Sequence, residues 1–300
     1  MSAAATISLR PLNTGELLDR TITLYRRHFV LFVGIMAMPN VFLLGIVTVV
    51  AVAVFGMSKA QGGAAAIGLG LAMIVMVMVA ALGYWIAYVL AQGATTFAVS
   101  EIYLGRRAGI VQSYDVVKFK LLRLIGMSLL LAVAMGAGFL LCFIPGIWVL
   151  LRTALSIPAA VIEDLQVMPA IERSISLTSG SWVRVLLVYF LAAALNYAAA
   201  AVFQYPFDIA ATLAGSESAV VVVFKVLSMV GAVIAGTLTG PIAAIALALI
   251  YYDERVRKEG FDLQYMMAAL DRGTPPTAGA PPVAPPPPPE APPPPLAPIG

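Results

Sequence analysis

The chain offers few residues that could perform acid–base or nucleophilic chemistry. It has 300 residues with a single histidine, His28, and a single cysteine, Cys142. One histidine cannot build a zinc site of several imidazoles, and one cysteine excludes both an internal disulfide and a cluster of thiolate ligands. A Ser-His-Asp hydrolase would have to use His28, and the sequence contains no G-x-S-x-G nucleophile elbow. We therefore expect no catalytic residue, no metal site and no cofactor.

Arg152 is the residue that most suggests a binding role, because it interrupts an otherwise apolar run. A charge within hydrocarbon costs several kcal/mol unless it is paired or hydrated. Its position in the run predicts a place in the outer half of a membrane, on the side of Asp208 and Lys225. One hypothesis is that these three residues bind an anionic headgroup or substrate. The other is a structural arginine that snorkels to the interface or pairs with Asp208.

A proline interrupts the last long apolar segment. Pro241 has no N–H and cannot donate to the carbonyl of Thr237. We expect a helix break at Gly240 and Pro241. Broken helices bind ions or substrates in transporters, whereas many membrane prolines only kink a helix. Gly236 and Gly240 also form a G-x-x-x-G pair, which favours close helix packing.

Two acidic pairs lie at the ends of apolar runs, namely residues 163–164 and residues 253–254. Paired carboxylates can hold a metal ion. The alternative is that they are neutralised by neighbouring arginines such as Arg255 and Arg257, as is common at a membrane interface.

The composition decides the class of protein. Hydrophobic residues make up 61% of the chain and charged residues only 11%, against about 25% charged residues in ordinary soluble domains. The mean hydropathy is +0.96. Such a chain cannot cover its surface with polar groups, so we expect an integral membrane protein whose partner is the lipid bilayer. A net charge of +3 with scattered basic residues does not indicate nucleic-acid binding.

The apolar runs predict an all-α membrane fold. A helix needs about 20 apolar residues to cross the bilayer. The sequence supplies six such runs, at residues 29–57, 64–99, 121–143, 147–162, 182–205 and 219–252. Residues 144–146, Ile-Pro-Gly, predict a tight turn between the third and fourth runs.

The basic residues predict the orientation. Of the 18 lysines and arginines, 15 lie before the first run, after the sixth, in the second and fourth connections, or within the first three residues of the runs that follow these connections. The positive-inside rule then places both termini on the cytoplasmic side of the membrane.

Three short amphipathic segments precede the hairpins, at residues 13–29, 111–120 and 168–177. Asn13 with Glu16 matches a capping box, which predicts the start of the first of them. One interpretation is that the six spans form three repeats, each an interfacial helix followed by a helical hairpin. The other is that the similarity among these amphipathic segments is due to chance.

The chain divides by composition into three parts. Residues 1–11 are expected to be a flexible N-terminus and residues 12–272 a six-span membrane domain. From Gly273 onward 14 of 28 residues are proline, which predicts a disordered cytoplasmic tail with a polyproline II bias. The tail is either a ligand for a protein partner with an aromatic groove or a spacer.

Three segments carry a family resemblance: LNTGELLDRTITLYRRHF at 12–29, IPGIWVLLRTALSIPAAVIED at 144–164 and ALIYYDERVRKEGFDLQ at 248–264. Together they resemble bacterial multi-pass proteins grouped with the membrane domain of glycerophosphoryl diester phosphodiesterases. In the full-length enzymes of that group a catalytic barrel follows the membrane domain. A barrel needs about 250 residues, and 48 follow Tyr252 here. The resemblance therefore implies the membrane part alone, with no catalytic residues.

These observations favour a non-enzymatic membrane protein that acts as a scaffold or as a lipid- or envelope-associated domain. The alternative is a small transporter or channel with a polar site near Arg152. That alternative requires Arg152, Asp208 and the break in the sixth helix to line one aqueous cavity.

Overall fold

The computed structural model describes residues 12–57, 63–214 and 219–260. All regular secondary structure in these ranges is α-helical. The helices are α1 Thr14–Arg27, α2 Phe29–Met57, α3 Gly63–Tyr103, α4 Ile110–Lys118, α5 Leu121–Leu141, α6 Phe143–Thr153, α7 Ser156–Ile162, α8 Val167–Thr178, α9 Trp182–Phe203, α10 Tyr205–Leu213 and α11 Ala219–Glu259. The expected flexible N-terminus at 1–11 and the proline-rich tail at 273–300 lie outside the described residues.

Six helical segments of the described chain are long and apolar enough to cross a membrane, as the hydropathy predicted. They are Phe29–Val49, Gly70–Tyr103, Leu121–Leu141, Phe143–Ile162, Trp182–Phe203 and Val220–Glu259. Large apolar side chains on them point outward, and Leu140 is 90% exposed. A helix that is apolar on all sides fits a bilayer better than water.

Helix α11 lies at the centre of the bundle, where it contacts α1, α2, α3, α8, α9 and α10. Its residues Ile245 and Leu249 are fully buried, as are Phe32 and Ile35 of α2. Helices α2 and α3 form one antiparallel hairpin, and α5 and α6 form another. The arrangement therefore places the core between α11 and its neighbours and leaves the outer faces apolar.

The three short amphipathic helices α1, α4 and α8 form where the sequence predicted them. At the start of α1, the Glu16 carboxylate accepts a hydrogen bond from the backbone N–H of Asn13 at 3.0 Å, as a capping box requires. Helix α1 buries Leu17, Thr21 and Tyr25, which are four residues apart and so share one face. That face packs against α11, and the Tyr25 hydroxyl donates to the Leu238 carbonyl at 2.7 Å.

The turn between the third and fourth spans is shorter than expected. Residues 144–146 belong to the first turn of α6, and only Cys142, which is extended, separates α5 from α6. Pro145 is tolerated there because the first N–H groups of a helix have no intrahelical partner. The chain reverses so tightly that Gly138 touches the backbone of Gly146, where a Cβ would lie 2.9 Å from the Gly146 Cα.

The fourth span is not one helix, which the sequence reading missed. Helix α6 ends at Thr153, and α7 begins at Ser156. Pro158 explains the break, because it has no N–H for the Ala154 carbonyl and its ring clashes with a carbonyl four residues earlier. The side chain of Ser174 on α8 replaces the lost bonds: its hydroxyl accepts from the Leu155 N–H at 3.0 Å and donates to the Arg152 carbonyl at 2.8 Å.

The structure corrects the expectation of a helix break at Gly240 and Pro241 in the sixth span. Helix α11 continues through both residues, so the proline removes one hydrogen bond without ending the helix. The Tyr25 hydroxyl of α1 donates a hydrogen bond to the Leu238 carbonyl, in the turn of α11 that precedes Pro241. A Cβ added at Gly240 would lie 3.6 Å from the Met36 sulfur of α2, which agrees with a packing role for the glycine.

Candidate functional site

The last three turns of α11 hold a network of ion pairs that gathers the ends of several helices. Asp253, whose side chain is 1% exposed, accepts from Arg184 of α9 at 2.6 Å and from Arg257 at 2.8 Å. Glu254, 2% exposed, pairs with Arg184 at 3.0 Å. The guanidinium groups of Arg184 and Arg257 also donate to the Leu12 carbonyl. The network therefore fixes α9 and the start of α1 to α11.

Glu163 is the centre of a second group of contacts on the same end of α11. It accepts from Arg173 of α8 at 2.9 Å and from Arg255 at 3.3 Å, and the Tyr251 hydroxyl also donates to it. Arg173 pairs with Glu259 as well, and this contact, followed by that with Glu163, raises the pKa of the guanidinium above its usual range. Both α7 and α8 are thus held to the same turns of α11.

Asp164 follows Glu163 in a left-handed conformation, with φ at 56°. Its carboxylate pairs with Lys120 at 2.9 Å and with Arg123 at 2.8 Å. Hydrogen bonds from Lys120 and then from Arg123 lower the pKa of this carboxyl group. The acidic pairs at 163–164 and 253–254 are therefore ion-paired with basic side chains. Among the described residues no group of three or more His, Cys, Asp or Glu side chains is arranged to hold a metal ion.

Arg152 lies beside the C-terminus of α8. Its guanidinium donates to the Ile175 carbonyl at 3.2 Å and lies 4.8 Å from the centre of the Trp148 ring. The Lys258 ammonium group binds the neighbouring carbonyls of Ser176 and Leu177. Two cations therefore cap the negative end of one helix, where the carbonyls lack intrahelical partners.

This position corrects the expectation that Arg152 lies in the outer half with Asp208. Arg152 shares the C-terminus of α8 with Lys258, whereas Asp208 pairs with Lys225 at 3.0 Å. Lys225 and Lys258 lie on one continuous helix, so their separation is about 50 Å at a rise of 1.5 Å per residue. The Lys225 contact, with smaller contributions from Ser228 and Gln204, lowers the pKa of Asp208. Arg152, Asp208 and Lys225 therefore do not form one site.

A cavity of about 470 Å³ lies at the outer part of the α2–α3 hairpin. It is entirely apolar, lined by residues such as Val41, Phe42 and Met76. Such a lining suits acyl chains, and its described part contains no polar side chain that could orient a ligand.

A second cavity, of about 450 Å³, lies inside the bundle and combines apolar walls with polar groups. Its lining residues come from α3, α5, α6, α7, α9 and α11 and are Trp85, Tyr88, Val89, Gln92, Thr96, Ser128, Leu131, Met135, Leu150, Thr153, Ala154, Ile157, Pro158, Tyr189, Ala243, Ala244 and Leu247. Ligand pockets typically enclose about 300–1,000 Å³ and have mostly apolar walls with a few polar groups. We call this space the central cavity.

The break between α6 and α7 forms one wall of the central cavity, through Thr153, Ala154, Ile157 and Pro158. Irregular backbone at membrane depth occurs where it is buried in protein or lines a cavity. Arg152 points away, because Leu150 and Thr153, which line the cavity, share the helix face opposite to it. The central cavity also contains neither Asp208 nor Lys225 in its described lining.

The depth of the central cavity follows from α3. Its lining residues on that helix run from Thr96 to Trp85, which places them about 8 to 24 Å along the axis from Glu101. Glu101 itself pairs with Arg106 at the charged end of the bundle. The cavity therefore begins below the charged network and reaches the middle of the spans. Tyr88, in its wall, is 36% exposed, so this part of the wall lies near the outer surface of the bundle.

Sequence reasoning did not find the central cavity, although two signals for it exist. Pro158 marks the helix break, and polar residues recur on one face of α3 at Tyr88, Gln92 and Thr96, with a four-residue spacing. Comparison of the chain with known protein families, with curated proteins and with solved structures finds no match.

Proposed function

We propose that this chain is a non-enzymatic, multi-pass protein of the bacterial cytoplasmic membrane that works by holding a lipid between its helices. The observation that carries the proposal is the central cavity, which has a helix break in its wall and the partly exposed Tyr88 at its side. We propose that a ligand enters beside Tyr88. A molecule that enters from the side of an apolar bundle comes from the bilayer. The lipid-associated role is therefore better supported than a purely structural scaffold.

Most of the ionic side chains at the charged end of the bundle have a structural role, because they pair with one another. The carboxylates of Glu163, Asp253 and Glu254 are held by arginines of the same chain. Arg26, Arg27 and Arg107 are exposed and have no ion-pair partner among the described residues. We propose that this end faces the cytoplasm and that anionic lipid headgroups neutralise these arginines.

The transporter alternative receives less support from the geometry. It requires Arg152 and Asp208 to line the same cavity as the sixth span, and the central cavity includes Ala243 and Ala244 of that span without the two charged residues. The resemblance to the membrane domain of glycerophosphoryl diester phosphodiesterases is an analogy that agrees with a role in lipid chemistry. We propose no catalytic activity, because the described part of the chain offers no nucleophile–base pair of a known type.

The test is lipid retention by the purified full chain in a mild detergent, measured by native mass spectrometry. Ala244→Phe places a ring in the central cavity, where Ala244 is 3% exposed. Ala193→Phe makes the same change on the exposed face of α9, away from the cavity. We expect the first variant to lose a bound lipid that the wild type and the second variant retain. Equal lipid adducts in all three proteins would overturn the proposal.

A further inference from the structure

We infer that the central cavity binds an uncharged lipid that carries carbonyl oxygens, such as an ester or a quinone. This inference rests on the proposed lipid-binding function and names the class of ligand. It follows from two properties of the wall, the absence of charge and the supply of free hydrogen-bond donors.

The first property is the charge. The described lining of the central cavity contains no lysine, arginine, aspartate or glutamate. An ionised phosphate moved into such surroundings would lose its hydration without gaining a counter-ion, which is strongly unfavourable. Arg152 precedes Thr153 of the wall, but its guanidinium donates to the Ile175 carbonyl of α8. Along α3 the cavity begins about 8 Å from Glu101. The ligand portion that fills the cavity is therefore neutral.

The second property is the set of polar side chains in the wall that can still donate a hydrogen bond to a ligand. The hydroxyl groups of serine and threonine do not belong to this set. Thr96, Ser128 and Thr153 donate their hydroxyl protons to carbonyls of their own helices at 2.8–3.0 Å. These three residues are thus already satisfied as donors. Ser and Thr side chains that bond back to their own helix contribute little to donor-based recognition of a ligand.

Three aromatic side chains and one amide supply donors instead. The Gln92 amide donates one proton to the Tyr88 hydroxyl at 2.8 Å, which leaves its second N–H and the Tyr88 proton free. No hydrogen bond from the Trp85 indole N–H or the Tyr189 hydroxyl is present among the described residues, and both side chains line the cavity. Because an indole is a donor only, the ligand group that meets Trp85 is an acceptor, and the hydroxyls of Tyr88 and Tyr189 can donate to the same kind of group. Carbonyl oxygens are the acceptors that neutral membrane lipids carry.

The experiment uses Trp85 as a reporter. The chain has three tryptophans, and Trp148 and Trp182 are exposed elsewhere. In a Trp148→Phe, Trp182→Phe variant of the full chain, Trp85 fluorescence in detergent is titrated with three quenching lipids. These are brominated diacylglycerol, a long-chain quinone and brominated phosphatidylglycerol with the same acyl chains as the diacylglycerol. A Trp85→Phe, Trp148→Phe variant, which reports from Trp182, measures non-specific quenching.

We expect saturable quenching of Trp85 by at least one of the two neutral lipids, at concentrations at least tenfold below those needed for phosphatidylglycerol. The neutral lipid that saturates the quenching at the lower concentration, diacylglycerol or quinone, shows whether the bound carbonyl belongs to an ester or to a quinone. Tyr189→Phe should weaken this binding about three- to tenfold, as the loss of one hydrogen bond predicts. Tyr197→Phe is the matched control, because Tyr197 lies on the same helix with its ring 66% exposed.

Different failures have different meanings. Saturable binding of phosphatidylglycerol that equals or exceeds that of both neutral lipids would refute the neutral class and leave the proposed lipid-binding function intact. Equal affinities of the Tyr189→Phe and Tyr197→Phe variants for the neutral lipids would refute the donor argument. Quenching that does not saturate with any lipid would refute both the inference and the proposed function.

Discussion

Replacing Arg184 by methionine tests the ion-pair network at the end of α11. Methionine keeps much of the length of the side chain and removes its charge. Arg184 is 16% exposed, and its partners Asp253 and Glu254 are 1% and 2% exposed. The substitution leaves two buried carboxylates with fewer partners, and this situation destabilises a protein far more than the loss of a surface pair.

The expected loss follows from the contacts. Arg184 donates to Asp253 at 2.6 Å and to Glu254 at 3.0 Å, and breaking a buried pair costs about 3–5 kcal/mol. Asp253 keeps Arg257 at 2.8 Å, and Glu254 keeps Lys258 at 3.7 Å. We therefore expect the lower end of that range, about 3 kcal/mol of the free energy of unfolding.

The assay is reversible unfolding of the full chain in mixed detergent micelles, followed by circular dichroism. The matched control is Lys118→Met, which removes a pair with Asp115 in which both side chains are 55% exposed. Exposed pairs of this kind contribute about 0–1 kcal/mol. Arg184→Lys should fall between the two, because lysine restores the charge without the fork that reaches both carboxylates. The reasoning is refuted if Arg184→Met costs no more than Lys118→Met.

Three further predictions concern other parts of the molecule. Arg152→Met and Asp208→Asn should have additive effects on unfolding within about 0.5 kcal/mol, since distant sites do not couple; a larger interaction energy in the double mutant would contradict the separate placement. Because Lys120 and Arg123 lower the pKa of Asp164, its stabilising effect should be present near pH 7 and lost as the pH falls below the ordinary range of an aspartate. Wild type and Asp164→Asn should therefore differ in unfolding midpoint at pH 7 and converge as the pH falls through the lowered pKa of Asp164; a difference that persists below that pKa would disprove the electrostatic cause. Alkaline phosphatase fused near positions 60, 145 and 212 should be active in a bacterial host and inactive near 110 and 166, and activity at 110 would overturn the six-span orientation.

The sequence alone determined the six apolar spans and the three amphipathic helices, but it predicted neither α10 nor the division of the fourth span into α6 and α7. Apolar stretches of about 20 residues have few alternatives to a helix, because backbone groups in hydrocarbon must bond within the segment. The start of α1 was also predictable, since Asn13 and Glu16 are three residues apart and interact locally. The choice between metal binding and ion pairing at residues 163–164 and 253–254 remained open, because several of their partners, namely Lys120, Arg173 and Arg184, are distant in the sequence.

The effect of each proline was decided by the tertiary structure. Pro158 and Pro241 give the same local signal, a missing N–H within an apolar run. At Pro158 the helix breaks, because Ser174 and Thr178 of α8 take over the backbone bonds around Arg152. At Pro241 the helix continues, with Tyr25 of α1 bonded to the turn before it. The central cavity at the first break and the partners of Arg152 therefore depend on side chains far apart in the sequence, which no local pattern can specify.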